Sequence, residues 1–511
     1  MPIGEVFIMK FFQKFCKVLK PTVCLSLVVV LMFAFCGCKN ERIVKKASKG
    51  LNNYTITATL CSEEMKVCAS EVVDYINASN DELSFMCFNL YGTAFSEDAK
   101  VLPYTALNVN KCFPNGMSYG DVIIDSVRVN KQNANYSIVG CDNNALQVDF
   151  GFALKPNERV EVEIQFTLIL ANTTHRLGFF NNEINLGNWY PIVAVYENGA
   201  FDLTPYYSSG DPFYSECANY DVTFYHQDSL IVSHTGELVE KTVEAGVACE
   251  RYKALAVRDF AMCLSSDFQE QESTVGDTLL RVFCDKDDSQ VAFYLEVAVK
   301  TVELFNRLFG EYPYKTLDVV FTNFLHGGME YPNLVYIAND IEDKNTVIKV
   351  IVHEIAHQWW YGVVGNNEIT TAWFDESMAE YSTVLFFENY PEYAIKREEM
   401  VGDAVQDYML YIDVVESVDM QTKRSMQLAL NEYSSEYEYV YMVYVKGVVF
   451  VNELRKVLGD DIFFKCVRKL YKENMFGIMT KEKFINAFTE GSGLDIEHFV
   501  EGWLTGQTNI E

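Results

Sequence analysis

Basic residues are scarce in this chain. Over 511 residues, 41 Lys and Arg stand against 71 Asp and Glu, for a net charge of −30. That deficit excludes a nucleic-acid binder, which needs a cationic face for phosphates. An acidic surface favours solubility, and an acidic cleft would attract cationic N-termini. Internal repeats and low-complexity tracts are absent, which excludes a solenoid. None of the ten cysteines after Cys38 has zinc-finger spacing. What remains is a chain 49% hydrophobic and 14% aromatic, long enough for two or three globular domains with large cores.

The N-terminal segment reads as an address rather than as fold. Lys10, Lys14, Lys17 and Lys20 precede an apolar run over 23–35, which ends at Cys36-Gly37-Cys38. This is a signal-peptide pattern. Gly37-Cys38 resembles the end of a bacterial lipobox, with Cys38 as the lipidated residue. An uncleaved signal anchor is the alternative, although the run falls short of the about 20 residues a spanning helix needs. Both readings predict an exported protein, anchored to the cell membrane and facing the extracellular side. Residues 1–37 are thus expected to be a signal peptide and 38–50 a basic tether. Ten cysteines in an oxidising compartment leave pairing open, with Cys61 and Cys68 a candidate hairpin bridge.

The densest chemistry lies at His353-Glu354-Ile355-Ala356-His357, followed after eighteen residues by Glu376. Histidines four apart on a helix point the same way. Their imidazoles can share a zinc ion, a carboxylate from a second helix can complete three ligands, and the fourth position stays open for water. Glu354 lies about 100° around the helix from His353 and is within reach of that water as a general base. Asn345 and Thr346 are N-cap types ahead of the apolar run 347–352. A second helix is expected over 373–390, ended by Pro391 and carrying Glu376 and Glu380 one turn apart.

Three motifs in order resemble the aminopeptidase-N-like zinc metallopeptidases, a branch of the gluzincins. The first is His326-Gly327-Gly328-Met329-Glu330-Tyr331-Pro332, similar to that family's Gly-x-Met-Glu-Asn motif, with Tyr331 where the family has Asn. The second is the HEIAHQWW and FDESMAEY pair, and the third is Tyr444-Val445-Lys446-Gly447. The resemblance implies one Zn²⁺ per chain, held by His353, His357 and Glu376. It implies Glu354 as general base and Tyr444 as stabiliser of the oxyanion. Glu330 would bind the free α-ammonium of a peptide, with Gly327, Gly328 and Met329 on an edge strand that pairs with the substrate backbone. Glu380 would orient a ligand histidine. A second amine-binding acid often comes from the region after 188, where Glu197 is a candidate.

Residues 51–257 read as mostly β, with period-two runs such as 160–166 separated by Gly, Asn, Asp and Pro. From 258 the pattern mixes: a helix over 289–309, a strand near 317–321, a strand over 327–338, then mainly helices. The expected class is α+β, an N-terminal all-β domain followed by a thermolysin-like catalytic domain over 258–511. The sequence ends sixty-seven residues after Tyr444, without the large helical domain many relatives have, so a more open cleft is expected. The expected function is a zinc aminopeptidase acting on peptides with a free N-terminus. A zinc endopeptidase with an open cleft and a non-catalytic peptide-binding lipoprotein are the alternatives.

Overall fold

The computed structural model describes residues 40–418, 422–508 and 510. The signal segment and Cys38 lie outside them. Among the described residues, no helix is long and apolar enough to cross a membrane. The segment expected to be a tether is partly folded. Residues 40–47 are helical, and the Val44 side chain is buried in the core. Ser48 accepts a hydrogen bond from Asn219 Nδ2 at 2.9 Å. Val44, with Ala47 and Leu51 packed against the same core, docks an otherwise mostly charged stretch.

The first half is β-rich, as the alternating runs require. Arg159–Ile169 buries every second residue, so one face packs inward and the other meets solvent. It lies in an eight-stranded sheet centred on Asn52–Cys61 and Lys66–Ile76. Their register sets Cys61 opposite Lys66, and Thr59 opposite Cys68. The two cysteines are therefore diagonal neighbours, about 7–8 Å apart at Cα. Their side chains are close enough for Cys68, after burial, to raise the pKa of Cys61, and both thiols are free.

The second half is built on a five-stranded sheet ordered Phe268–Val275, Thr278–Asp285, Thr316–Thr322, Leu334–Ala338, Gly328–Met329. Thr316–Thr322 is buried at every residue, as a central strand covered on both faces must be. The expected single strand over 327–338 is instead a hairpin. Asn333 adopts a left-handed φ of 62° and Leu334 N bonds Tyr331 O at 3.0 Å, which folds Gly328–Met329 back against Leu334–Ala338. Pro332 favours that turn. The helix Val291–Leu308 matches the expectation for 289–309 to within two residues. The chain is thus a β-rich N-terminal part followed by a mixed sheet and a mainly helical C-terminal part.

Candidate active site

The histidine helix, Lys344–Ala356, starts at Asp343, whose side chain accepts from Thr346 N. The cap is two residues earlier than the Asn345 and Thr346 expected. Asp343 is equally an N-cap type, and its carboxylate also suits the positive end of the helix dipole. The glutamate helix, Glu368–Asn389, starts five residues before the expected 373, capped by Asn367 and kinked at Thr371. The kink at 371 breaks the periodicity that a sequence pattern relies on.

These helices bring three donor atoms together. His353 Nε2 and His357 Nε2 are 3.0 Å apart. Glu376 Oε2 lies 3.2 Å from the first and 3.4 Å from the second. Tetrahedral zinc at 2.0–2.1 Å sets its ligand atoms about 3.3 Å apart, so the donor set fits that ion in chemistry and in spacing. Each ligand has a second contact. His357 Nδ1 bonds the Trp360 carbonyl at 3.0 Å, and Glu380 Oε1 lies 3.2 Å from His353 Nδ1. Tyr444 donates its hydroxyl to Glu376 Oε1.

Charge is concentrated here. Burial opposes protonation of His357, but Glu330 and Glu376 outweigh it and push its pKa up to about 10. Burial would raise Glu376, yet the two histidines hold it down to about 2. Burial also pushes Glu354 up to about 8, with Glu330 reinforcing it and His353 opposing. Carboxylates that lift their neighbours' proton affinity in this way make a site for a cation.

Two glycines explain how closely the parts approach. A Cβ on Gly328 would fall 2.2 Å from Glu354 Oε1, so only glycine lets the edge strand cross over that carboxylate. A Cβ on Gly447 would fall 2.4 Å from Ser377 Oγ and 3.1 Å from Ser377 Cα. Gly447 thus seats the Lys446–Leu458 helix against the glutamate helix. Gly447→Ala should destabilise the fold by roughly 1–3 kcal/mol through overpacking, although alanine is the better helix former. Thermal unfolding checks this. Tyr444 itself lies in a π-helical turn, Tyr441–Val445, a feature frequent at functional sites.

Glu330 is 3% exposed and its Oε1 has no hydrogen-bond partner. It lines a cleft of about 300 Å³ with His353, Glu354, Glu376, Arg176 and Asp211. Gly327 and Gly328 line the same cleft, whereas Met329 is fully buried beneath it. Glu197 is not there. It is exposed on a small hairpin, where it accepts from Tyr214. The acid that does reach the cleft from the N-terminal part is Asp211, paired with buried Arg176. Burial, with Glu330 nearby, pushes Asp211 up to about 7 against the pull of Arg176. Gly210-Asp211-Pro212 was its only sequence signal, and Arg176 had none. Asp375 gathers with Glu330 and His357, their ligand atoms all within 4.8 Å of one another.

Residues 293–503 match the Peptidase family M1 domain. Among curated relatives, aminopeptidase N of Lactobacillus helveticus is 24% identical over 406 residues, covering 75% of this chain and 46% of its own length. A probable M1 family aminopeptidase 2 of Encephalitozoon cuniculi is 26% identical over 256 residues, covering 44% of this chain and 28% of its own. The chain therefore spans less than half of either relative. Among solved structures, the M1 zinc metallopeptidase of Deinococcus radiodurans matches with a TM-score of 0.63 at 13% identity, over 90% of this chain and 94% of that one. A mutant of it bound to a Tyr-Ser-Ala substrate matches at 0.64 and 14%, again over 90% and 94%. These structures share the two-part fold, and with the domain match over 293–503 and the relatives they support the reading of this chain as similar to the aminopeptidase-N-like gluzincins of peptidase family M1.

Proposed function

We propose that this protein is a zinc-dependent aminopeptidase that releases the N-terminal residue of peptides. The observation that carries the reading is Glu330, a buried carboxylate at the zinc-competent cluster whose Oε1 has no hydrogen-bond partner among the described residues. Relatives named aminopeptidase support it. His353, His357 and Glu376 would hold one Zn²⁺. When bound, that ion polarises water and the scissile carbonyl. Glu354 takes a proton from the attacking water and returns it to the leaving amine. Tyr444 turns its hydroxyl from Glu376 to the developing oxyanion. Glu380 fixes the ring of His353. Glu330, with Asp211 opposite, pairs with the substrate's α-ammonium and so selects the first peptide bond. Gly327 and Gly328 let the substrate backbone approach the edge strand. On the sequence pattern, residues 1–38 would deliver this activity to the outer membrane surface.

The test compares free-amine aminoacyl arylamides with their N-acetyl counterparts. Loss of a charged hydrogen bond of roughly 1.5–3 kcal/mol predicts hydrolysis of the blocked compounds about tenfold to a hundredfold slower. Equal rates, or cleavage inside N-acetyl peptides, would replace the aminopeptidase reading with an endopeptidase.

A further inference from the structure

Glu330 poses a question of its own. A carboxylate that must meet an ammonium has to be held in place, yet among the described residues nothing hydrogen-bonds its Oε1. Its position must be inherited from the backbone around it. Glu330 lines the cleft, whereas its neighbours Met329 and Tyr331 do not. Both are buried, at 0% and 1% exposure, and both are tied to the N-terminal β-rich part. Arg176 Nε lies 2.9 Å from Met329 Sδ. Tyr331 donates its hydroxyl to Asn188 Oδ1 at 3.1 Å.

Asn188 is held in its turn. Its Nδ2 donates to Asp259 Oδ2 at 2.6 Å. The other oxygen of Asp259 accepts from Tyr190 Oη at 2.8 Å and from Phe260 N at 2.6 Å. Asn188 sits at a left-handed φ of 51°, a conformation Asn tolerates better than most residues. The neighbouring Gly187 has no room for a side chain, because a Cβ there would lie 1.8 Å from Tyr331 Oη. On the other side, Gln358 Nε2, one residue past His357, donates to the Tyr331 carbonyl at 3.0 Å. Tyr331 therefore links the segment after the histidine helix to a rigid buried network in the first half of the chain.

We infer that Tyr331 is a positioning residue for Glu330, acting through Asn188 and Asp259. The inference rests on the aminopeptidase reading above. It makes amine recognition depend on the contact between the two halves of the chain rather than on the catalytic half alone.

The experiment measures KM and kcat for a free-amine aminoacyl arylamide, with zinc content and unfolding temperature, in Tyr331→Phe, Asn188→Gly, the double variant and Glu330→Gln. Phenylalanine keeps the ring and removes only the hydroxyl. Glycine keeps the left-handed backbone and removes only the amide. One neutral hydrogen bond predicts KM raised about fivefold in each single variant, with kcat and zinc content within about twofold. The double variant should be no worse than either single one, since both remove the same link. If Glu330→Gln raises KM while Tyr331→Phe does not, the inference fails and the amine reading stands. If the two single effects multiply, the residues act independently and the inference fails as well. A fall in kcat or zinc content at unchanged KM assigns Tyr331 a structural role only. If Glu330→Gln leaves KM unchanged, the amine reading falls and takes this inference with it.

Discussion

Glu354→Gln should keep its zinc and lose about 10²–10⁴-fold in kcat, the range for removal of a positioned general base. Glutamine fills the same volume under Gly328 but cannot accept a proton. The three ligand atoms, His353 Nε2, His357 Nε2 and Glu376 Oε2, remain 3.0–3.4 Å apart without it, so metal content should not change. Burial and Glu330 already push Glu354 up to about 8. The carboxylate can accept a proton from water, whereas a fixed amide at that place cannot. Chelation should abolish activity by a separate route, reversed on adding zinc. Elemental analysis beside steady-state kinetics distinguishes the two. A variant that holds zinc and keeps more than about a tenth of its kcat would remove Glu354 from the general-base role. A wild type inactive on every peptide would favour the peptide-binding alternative.

How much of this was readable beforehand depends on how local the determinant is. The histidine spacing is a property of one helix, and 3.6 residues per turn bring His353 and His357 to one face wherever the helix packs. Glu380 stands one turn from Glu376 for the same reason. The glycines of the two flanking motifs were visible, but their partners were not. That Gly328 passes over Glu354 and Gly447 over Ser377 is a fact of tertiary packing. The hairpin at 328–338 was read as one strand because Tyr331-Pro332-Asn333 carries apolar neighbours on both sides. Only the left-handed Asn333 breaks the run.

Long-range pairs were out of reach for a similar reason. Asp211 enters the cleft because Arg176, 35 residues earlier, turns it there. Glu197 had the better chemical type and the wrong address. Tyr331 looked like a flaw in a motif, since its partner Asn188 lies 143 residues away. A network of that kind has no periodicity to reveal it, and each member read alone is a polar residue in an ordinary loop.

Tyr444→Phe should lower kcat by about 10²–10³-fold with KM changed only a few-fold, as for loss of one donor to a developing oxyanion. Four tyrosines crowd this stretch, and the geometry separates them. Tyr437 is 64% exposed. Tyr441 stacks on Tyr411, with ring centroids 4.4 Å apart. The Tyr439 hydroxyl is buried beside Tyr444, with the two rings 5.6 Å apart. Tyr444 alone of the four bonds a presumptive zinc ligand, Glu376 Oε1, and stacks over His353 at 6.0 Å. That hydroxyl therefore has two competing explanations, donating to the reaction or holding Glu376. Holding Glu376 predicts zinc loss in Tyr444→Phe, with activity restored by excess metal. Donating to the oxyanion predicts full zinc content and a kcat that added zinc does not restore. The donor reading is favoured because Glu376 Oε2, the oxygen facing both histidines, is not the one Tyr444 holds. Tyr439→Phe is the control. It removes a buried hydroxyl in the helix Glu436–Val440, just before the π-helical turn, and should cost less than about tenfold, because that hydroxyl bonds no zinc-site ligand.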